Sequence, residues 1–519
     1  MRYAADVIFW GGLLRFCEAA LAAAPTLLVG FVVAGVLRKL LGADATRRAF
    51  GGNTWRSLPQ AWLWGMLLPV CSLGVIPVAY ELRRVGLSGG TILAFALTAP
   101  LFNPLSLLYG LTLSSPAVLV AFALASLLVV TTVGYLWDRW FPGTAIESSG
   151  EPPMPPGLSR LAAVALTAAR HASGPTLLYC LIGLSGSMVL AAIFPHGSLT
   201  DSMGHADRTA PLQMLLLAIP AYATPLKVMM QVGGMFVHGN SVGAAYVLLA
   251  LGAGANLGLV AWAWRSYGLR KAAVFLSLFV VVVMGIAYAI EDPLYSAGSV
   301  DHPHTHAFDV YACPFRAGQG ALPQKAWAKL SGEIALYEVV GLASVVTLTA
   351  VGLGVARFDP NGRIDAALVK QSEVDADERA SWMNAEVPGP VLGGVAIAGL
   401  VALSIVGCFV YFPPPAETLE EMNYVRADAL SYSSTRDVEN AEKSIARYDD
   451  LTRRLQVGYY LRNLTLSEYQ QSKARVLRGR LEQLKDIVGT AEFDEIRALT
   501  AKLSVAHRRL SQAFLPAKQ

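Results

Sequence analysis

A proline- and glycine-broken apolar segment constrains this chain more than any other feature. It begins Pro69-Val-Cys-Ser-Leu-Gly-Val-Ile-Pro77, inside a stretch that is otherwise apolar enough to enter a bilayer. Proline removes a backbone donor and clashes with the preceding turn, so one straight helix is excluded here. Broken backbone at membrane depth is tolerated only where protein buries it or where it lines a cavity. The segment therefore predicts an interrupted helix inside a membrane protein.

The chain carries a second copy of this arrangement. Gly239 to Asn256 aligns without gaps on Gly86 to Asn103, and Pro220 is the counterpart of Pro69. A duplicated, Pro/Gly-interrupted hydrophobic segment is the best pointer in a sequence to the substrate site of a transporter. The duplication predicts two related halves, each with one broken segment.

The composition agrees with a polytopic membrane protein and not with an enzyme. The chain is 54% hydrophobic and only 15% charged, with a mean hydropathy of +0.47, whereas a soluble protein carries about 25% charged residues. No nucleotide-binding loop, nucleophile elbow or HExxH zinc motif is present in the sequence. The expected partners are membrane lipid and a small ion substrate, and no nucleic acid.

Hydropathy predicts eight full transmembrane helices and two broken segments. The eight helices are 16–37, 88–112, 116–137, 171–194, 243–264, 272–290, 332–356 and 389–412. If the broken segments 58–82 and 212–237 are re-entrant, Arg83 and Arg84 face the cytoplasm, as the positive-inside rule requires. Each half then has three spans, so the second half is inverted relative to the first.

The predicted fold is thus an all-α polytopic membrane protein with two inverted repeats, two extra spans and a C-terminal extracytoplasmic helical domain. The predicted domains are a first permease repeat (1–141), a cytoplasmic linker (142–170), a second permease repeat (171–291), an extracytoplasmic His-rich loop (292–331), two additional transmembrane helices with a cytoplasmic loop (332–412) and a soluble helical domain (413–519). Residues 416–519 suit an extracytoplasmic protein partner. Thr418…Glu421 and Thr465…Glu468 predict capping boxes that open helices.

The order of several motifs resembles a known family. Pro25-Thr-Leu-Leu-Val-Gly, Leu-Leu-Pro69-Val-Cys-Ser-Leu-Gly and Leu-Thr-Ala-Pro100 with Asn103-Pro resemble the predicted-permease family that includes ArsP-like organoarsenical efflux permeases. The resemblance covers about residues 16–290 and implies a multi-span permease of the bacterial inner (cell) membrane. The family core reads Cys-Ser-Cys-Gly, whereas this chain has Leu73 in place of the second cysteine. Paired thiolates capture soft trivalent metalloids, so the motif alone does not carry over arsenical efflux.

Five residues are candidates for the substrate pathway because they lie in the two broken segments. They are Cys71, Ser72 and Pro77 in the first segment, and Pro225 and Lys227 in the second. An ionisable group at membrane depth is by default a functional-site hypothesis, so Lys227 is expected to bind an anionic group or to pair with Glu81 or Glu338. The alternative is a lysine that snorkels to the interface. Cys71 is alternatively an ordinary packed cysteine.

Asn103 and Asn256 are corresponding polar residues of the two copies. They either face the translocation path or form hydrogen bonds across a helix interface. Met229, Met230 and Met235 are further candidates as soft ligands, although methionines at such spacing commonly pack in a core.

A dense run of metal-capable side chains follows the second repeat. His302, His304 and His306, with Cys313 nearby, predict a site for zinc or copper on the extracytoplasmic side. The alternative is a solvated loop that happens to contain histidine. No other cofactor is expected.

Two functions compete at this point. The first is a permease or efflux transporter for a small ion, metal or metalloid species that works by alternating access around two broken helices. The second is a membrane receptor or assembly protein that uses the His-rich loop and the C-terminal helical domain to recruit a partner.

Overall fold

The fold is given by a computed structural model. It describes residues 5–52, 54–99, 101, 104–110, 116–143, 159–199, 202–237, 239–295, 307–359, 363–364, 388–490 and 492–515. Every secondary-structure element in these ranges is helical, apart from one isolated bridge between Gly204 and Asn240. The predicted all-α class is confirmed for the described residues.

The first half is built from full-length and broken helices in alternation. Its elements are α1 (Ala5–Val36), a π-helical turn (Leu37–Leu41), α2 (Gly42–Ala49), α3 (Ser57–Leu67), α4 (Val75–Arg84), α5 (Gly89–Thr98), α6 (Pro104–Gly110) and α7 (Pro116–Trp140). The first predicted broken segment is interrupted as expected, because α3 ends before Pro69 and α4 begins after Gly74.

The second half also contains long helices and broken helices. Its elements are α8 (Ser159–Ser173), α9 (Pro175–Ile193), α10 (Ala210–Ala218), α11 (Pro225–Val237), α12 (Val242–Val247) with a π-helical continuation (Leu248–Ala253), α13 (Leu257–Tyr267) and α14 (Leu269–Leu294). The second predicted broken segment is again interrupted, between α10 and α11.

The remaining helices follow the two halves. They are α15 (Leu322–Glu333), α16 (Leu336–Phe358), α17 (Gly389–Tyr411), α18 (Pro415–Thr435), α19 (Val438–Asn463), α20 (Glu468–Ile487) and α21 (Phe493–Phe514). Among the described residues, six helices are long and apolar enough to cross a membrane: α1 with its continuation, α7, α9, α14, α16 and α17. The number rises to seven if α12 and α13, bent by 56°, count as one span.

Two of the predicted spans are wrong as continuous helices. The segment 88–112 is divided into α5 and α6, and the segment 243–264 bends between α12 and α13. Proline at positions 100 and 104 opposes a continuous helix in the first copy. In the second copy the side chain of Asn256 accepts a hydrogen bond from the backbone N–H of Leu259, which starts a new helix. Each half therefore has two interrupted segments between two long helices.

The predicted linker contains a packed helix. Residues 142–170 include most of α8, which packs along α1 and α16. Buried Ala163, Thr167 and Ala168 line one face of α8, a spacing that produces an amphipathic helix. The Pro/Gly-rich composition applies only to the earlier part of the linker, which lies outside the described residues apart from 142 and 143.

The chain divides into two compact units. The first holds residues 1–106 and 117–402, and the second holds 107–116 and 403–519. In the second unit, α18 to α21 form a four-helix bundle around a core that includes Leu419, Tyr448, Leu477 and Leu503. The helical interpretation of 413–519 is thus confirmed, while the two predicted capping boxes are not.

Both predicted capping boxes are wrong for a local reason. Pro415 occupies the first turn of α18 and Thr418 is buried inside the helix, because proline is favoured at a helix start, where its missing N–H costs nothing. For α20 the cap is Ser467, whose hydroxyl accepts from the backbone of Gln470 while the Gln470 side chain returns to the backbone of Ser467.

Candidate functional site

The first helix break exposes backbone next to a thiol. The loop between α3 and α4 contains Cys71 and Ser72, both completely buried. The backbone N–H of Gly74 donates to the Cys71 sulfur at 3.4 Å, and the Val75 N–H donates to the Cys71 carbonyl at 2.9 Å. Gly30 of α1 lies directly against the Gly74 carbonyl, so any side chain at position 30 would displace the loop.

The second helix break has the same relation to its own long helix. Gly186 of α9 lies against the carbonyl of Pro220, with no room for a β-carbon. The loop continues through buried Tyr222, and Pro225 starts α11 in the first-turn position that proline favours. In each half a glycine on a long helix thus admits the backbone of the broken segment.

The two breaks meet in the interior of the first unit. The hydroxyl of Tyr222, in the second break, lies beside the thiol of Cys71, in the first break. Cys180 of α9 lies close enough to Cys71 and to Tyr222 to interact with both electrostatically. The Oδ1 of Asn256 and a methyl of Leu73 both reach Gly183 of α9. We call Cys71, Ser72, Cys180, Tyr222 and Asn256 the central cluster.

Two polar atoms of the central cluster, Ser72 Oγ and Asn256 Nδ2, have no hydrogen-bond partner within the described part of the chain. Leaving a buried donor or acceptor unpaired costs about 1–3 kcal/mol, so such groups call for an explanation. Both lie with Tyr222 and two thiols in the buried interior of the first unit.

The structure places the other predicted pathway residues as follows. Pro77 is buried in the first turn of α4, one turn from Cys71. Lys227 is half-buried on α11, and its backbone N–H donates to Thr224 Oγ1 at 3.4 Å. Asn103 lies outside the described residues. Met229 and Met235 are buried. A direct role in the pathway stays a prediction for all of these side chains.

The suggested partners of Lys227 are wrong. Glu81 is bound instead by His171 of α8 at 2.9 Å and by Arg38 of the π-helical turn at 3.6 Å. Glu338 accepts a hydrogen bond from the backbone of Ala335 and caps α16. Within the described residues, neither carboxylate contacts the Lys227 side chain.

Cys313 is the one described member of the predicted metal site. It is buried in an apolar cluster with Val7, Leu14 and Phe315, and its thiol donates to the Val7 carbonyl at 3.6 Å. His302, His304 and His306 lie outside the described residues. No group of three metal-capable side chains occurs in the ranges that the structure covers. The metal site stays a prediction.

The same set of contacts, which sequence reasoning missed, occurs at corresponding positions within each of the two copies. Ser88 caps α5 and donates to Asp138 at 2.8 Å, and the Gly90 N–H donates to the same carboxylate at 2.8 Å. Ser241 caps α12 and donates to Glu291 at 2.7 Å, as does the Gly243 N–H at 2.6 Å. All three positions are separated by the same spacing in both copies. Extending the repeat alignment as far as these acids would have revealed the pair.

Comparison with known proteins agrees with this architecture. The model of the ArsP_1 family, described as a predicted permease, matches residues 10–291. The UPF0718 protein YcgR of Bacillus subtilis (strain 168) is 29% identical over 92 residues. That alignment covers 18% of this chain and 31% of YcgR. No solved structure matches the chain.

The family match covers more than half of the chain, including every residue of the central cluster. Together with several long apolar helices, it indicates a multi-pass membrane protein. The chain belongs to the ArsP_1 family of predicted permeases.

Proposed function

We propose that this permease moves a small soft metal or metalloid species across the bacterial inner membrane by alternating access of two inverted halves. The observation that carries the proposal is the meeting of both helix breaks at the central cluster. A site built from two interrupted segments can be closed toward either face by moving one half against the other.

The chemistry of the central cluster supports a soft substrate. Cys71 and Cys180 supply two sulfur atoms from different halves, and soft thiolate ligands select soft metals and metalloids. Leu73 removes the second thiol from the first broken segment, and Cys180 supplies a second thiol from α9. All five cysteines of the chain are free, so neither sulfur is consumed in a disulfide.

The contacts between distant segments support the inverted topology. Contacts on the predicted outer side join Cys313 to Phe194, through a backbone hydrogen bond of 2.8 Å, and His205 to Glu291 at 2.7 Å. Contacts on the predicted cytoplasmic side join Glu81 to His171. Each contact pairs groups that the positive-inside rule assigns to one face.

Accumulation assays test the proposal. Cells that lack or overexpress the protein are exposed to Zn²⁺, Cd²⁺, Cu⁺, arsenite, phenylarsine oxide and small anions, and intracellular contents are measured. We expect overexpression to lower the content of at least one soft species. Cys71→Ser and Cys180→Ser should abolish that change, whereas Cys408→Ser, in α17, should leave it intact. Unchanged contents for every compound would contradict the proposal.

A further inference from the structure

The outer surface of the bundle carries a basic groove between α20 and α21. It is lined by Lys473, Val476 and Arg480 of α20 and by Lys502, Val505 and Arg509 of α21. The two helices run antiparallel, so the groove has a valine pair at its centre and one lysine with one arginine at each end. Both valines are about half exposed, at 49% and 48%.

Both helices of the groove carry the same residue pattern. Each helix presents Lys, Val and Arg at positions i, i+3 and i+7. Seven residues of helix span about 10 Å, which sets the distance between the two cationic ends. Exposed valine side chains between four cations are unfavourable in water and favour an occupant with an apolar centre and acidic ends.

The same bundle carries a surface of the opposite kind on α18. Glu420, Tyr424 and Asp428 are exposed and follow one another at positions i, i+4 and i+8. Tyr424 is 69% exposed. Glu421 is engaged by Arg447, whereas Glu420 and Asp428 form no ion pair among the described residues. Eight residues of helix span about 12 Å, so the acids flank the tyrosine at nearly the spacing of the cationic ends.

We propose that two copies of this chain associate through their bundles. The acidic face of α18 of one copy (Glu420, Tyr424 and Asp428) lies in the basic groove of the other, with its tyrosine over the two valines. Single exposed ion pairs are worth little. Here four cations and an aromatic contact act together, and attachment through α17 confines both partners to one bilayer, which raises their effective concentration. The association does not depend on what the permease transports.

Charge exchange on the full-length protein in detergent micelles tests this proposal. One variant reverses the charge of the groove (Lys473→Glu, Arg480→Glu, Lys502→Glu and Arg509→Glu), and the other reverses the charge of the helix face (Glu420→Lys with Asp428→Lys). Mass measurement by light scattering is expected to show a dimer or larger assembly for the parent chain. Each variant alone should associate at least about tenfold more weakly. An equimolar mixture of the two should regain association, because one reversed groove meets one reversed face.

Two further measurements distinguish this contact from loss of folding or from another interface. Both variants should keep the parent melting temperature, since none of the six positions is buried. Tyr424→Cys combined with Val505→Cys, in a Cys17→Ser background, should form an intermolecular disulfide in native membranes. A parent chain that is monomeric at low salt, variants that associate like the parent, or a mixture that does not recover would each overturn the proposal.

Discussion

At the scale of single residues, Lys227 is the charged side chain that matters most for the proposed transport. It is half-buried on α11, close to the second helix break, and no carboxylate among the described residues neutralises it. We predict that Lys227→Met abolishes transport while membrane insertion is unchanged. Stability should hold or rise, because a neutral side chain avoids the cost of a charge at membrane depth.

A matched lysine gives the control for this prediction. Lys271 lies over the ring of Phe141 at the start of α14, where a cation can reach the interface. Lys271→Met should retain transport. Full transport by Lys227→Met would show that Lys227 only snorkels to the membrane surface.

His507 makes the bundle sensitive to pH. Burial and the nearby Arg426 lower the pKa of His507 to about 4. The neutral ring is well satisfied, since Tyr448 Oη lies 2.7 Å from Nδ1 and Asn423 Oδ1 lies 3.0 Å from Nε2. Because the folded pKa lies below the unfolded value of about 6.5, His507 stabilises the fold above pH 6.5, and this contribution is lost as the pH falls toward 4.

Melting curves of the purified protein between pH 7.5 and pH 4.5 check this expectation. The parent should lose stability across the interval, and His507→Asn should show a smaller loss. Parallel pH profiles for the two proteins would contradict the assigned role of His507.

At the residue level the sequence points to the two broken segments, and the functional roles of the residues in them stay predictions. Cys71 and Asn256 were identified because they lie in the duplicated broken segments. Cys180 and Tyr222 were missed, because only tertiary packing brings a helix face and a second loop to the first break. The capping roles of Ser88 and Ser241 were also missed, because their partners Asp138 and Glu291 are about 50 residues away in the sequence.

At the scale of helices, a buried carboxylate holds the C-terminal end of α4. Glu81 is only 3% exposed and joins α4 to α8 through His171 and to the π-helical turn through Arg38, with Arg84 at 3.8 Å. Removing one partner of a buried ion pair typically costs about 3–5 kcal/mol, because the remaining charges are left uncompensated.

We therefore predict that Glu81→Gln lowers the melting temperature of the protein in detergent by several degrees. Glu442→Gln, at an exposed position of α19, is the control and should have little effect. Equal melting temperatures for Glu81→Gln and the parent would mean that the ion-pair cluster does not hold α4 in place.

Some of the helix breaks can be predicted from sequence patterns and others cannot. Pro69 and Pro220 marked two breaks correctly, because proline removes a donor and clashes wherever it stands. The breaks after Thr98 and Ala253 were missed, since a hydropathy window averages over Pro100, Gly254 and the Asn256 cap. Pro25 lies inside continuous α1, whereas its counterpart Pro175 follows a break at Gly174. Tertiary packing decides between these two outcomes.

At the scale of the whole molecule, the proposed inverted arrangement of the two halves predicts which surfaces face outward. Single cysteines in a Cys17→Ser background are suitable reporters, because the other native cysteines are buried. A membrane-impermeant maleimide added to intact spheroplasts should label Glu442→Cys in the bundle and should not label Pro142→Cys after α7. Labelling at position 142 from outside would exclude the inverted topology.

The central claim is that both halves open the central cluster alternately to the two sides of the membrane. The most direct test measures the reaction of Cys71 with an impermeant maleimide in right-side-out and inside-out vesicles, with all other cysteines replaced by serine. A chain that keeps only Cys408 is the control, because this thiol in α17 should react from neither side. The account predicts that Cys71, although buried in the structure, reacts slowly from both sides. Reaction from only one side, or from neither, would contradict alternating access around this site.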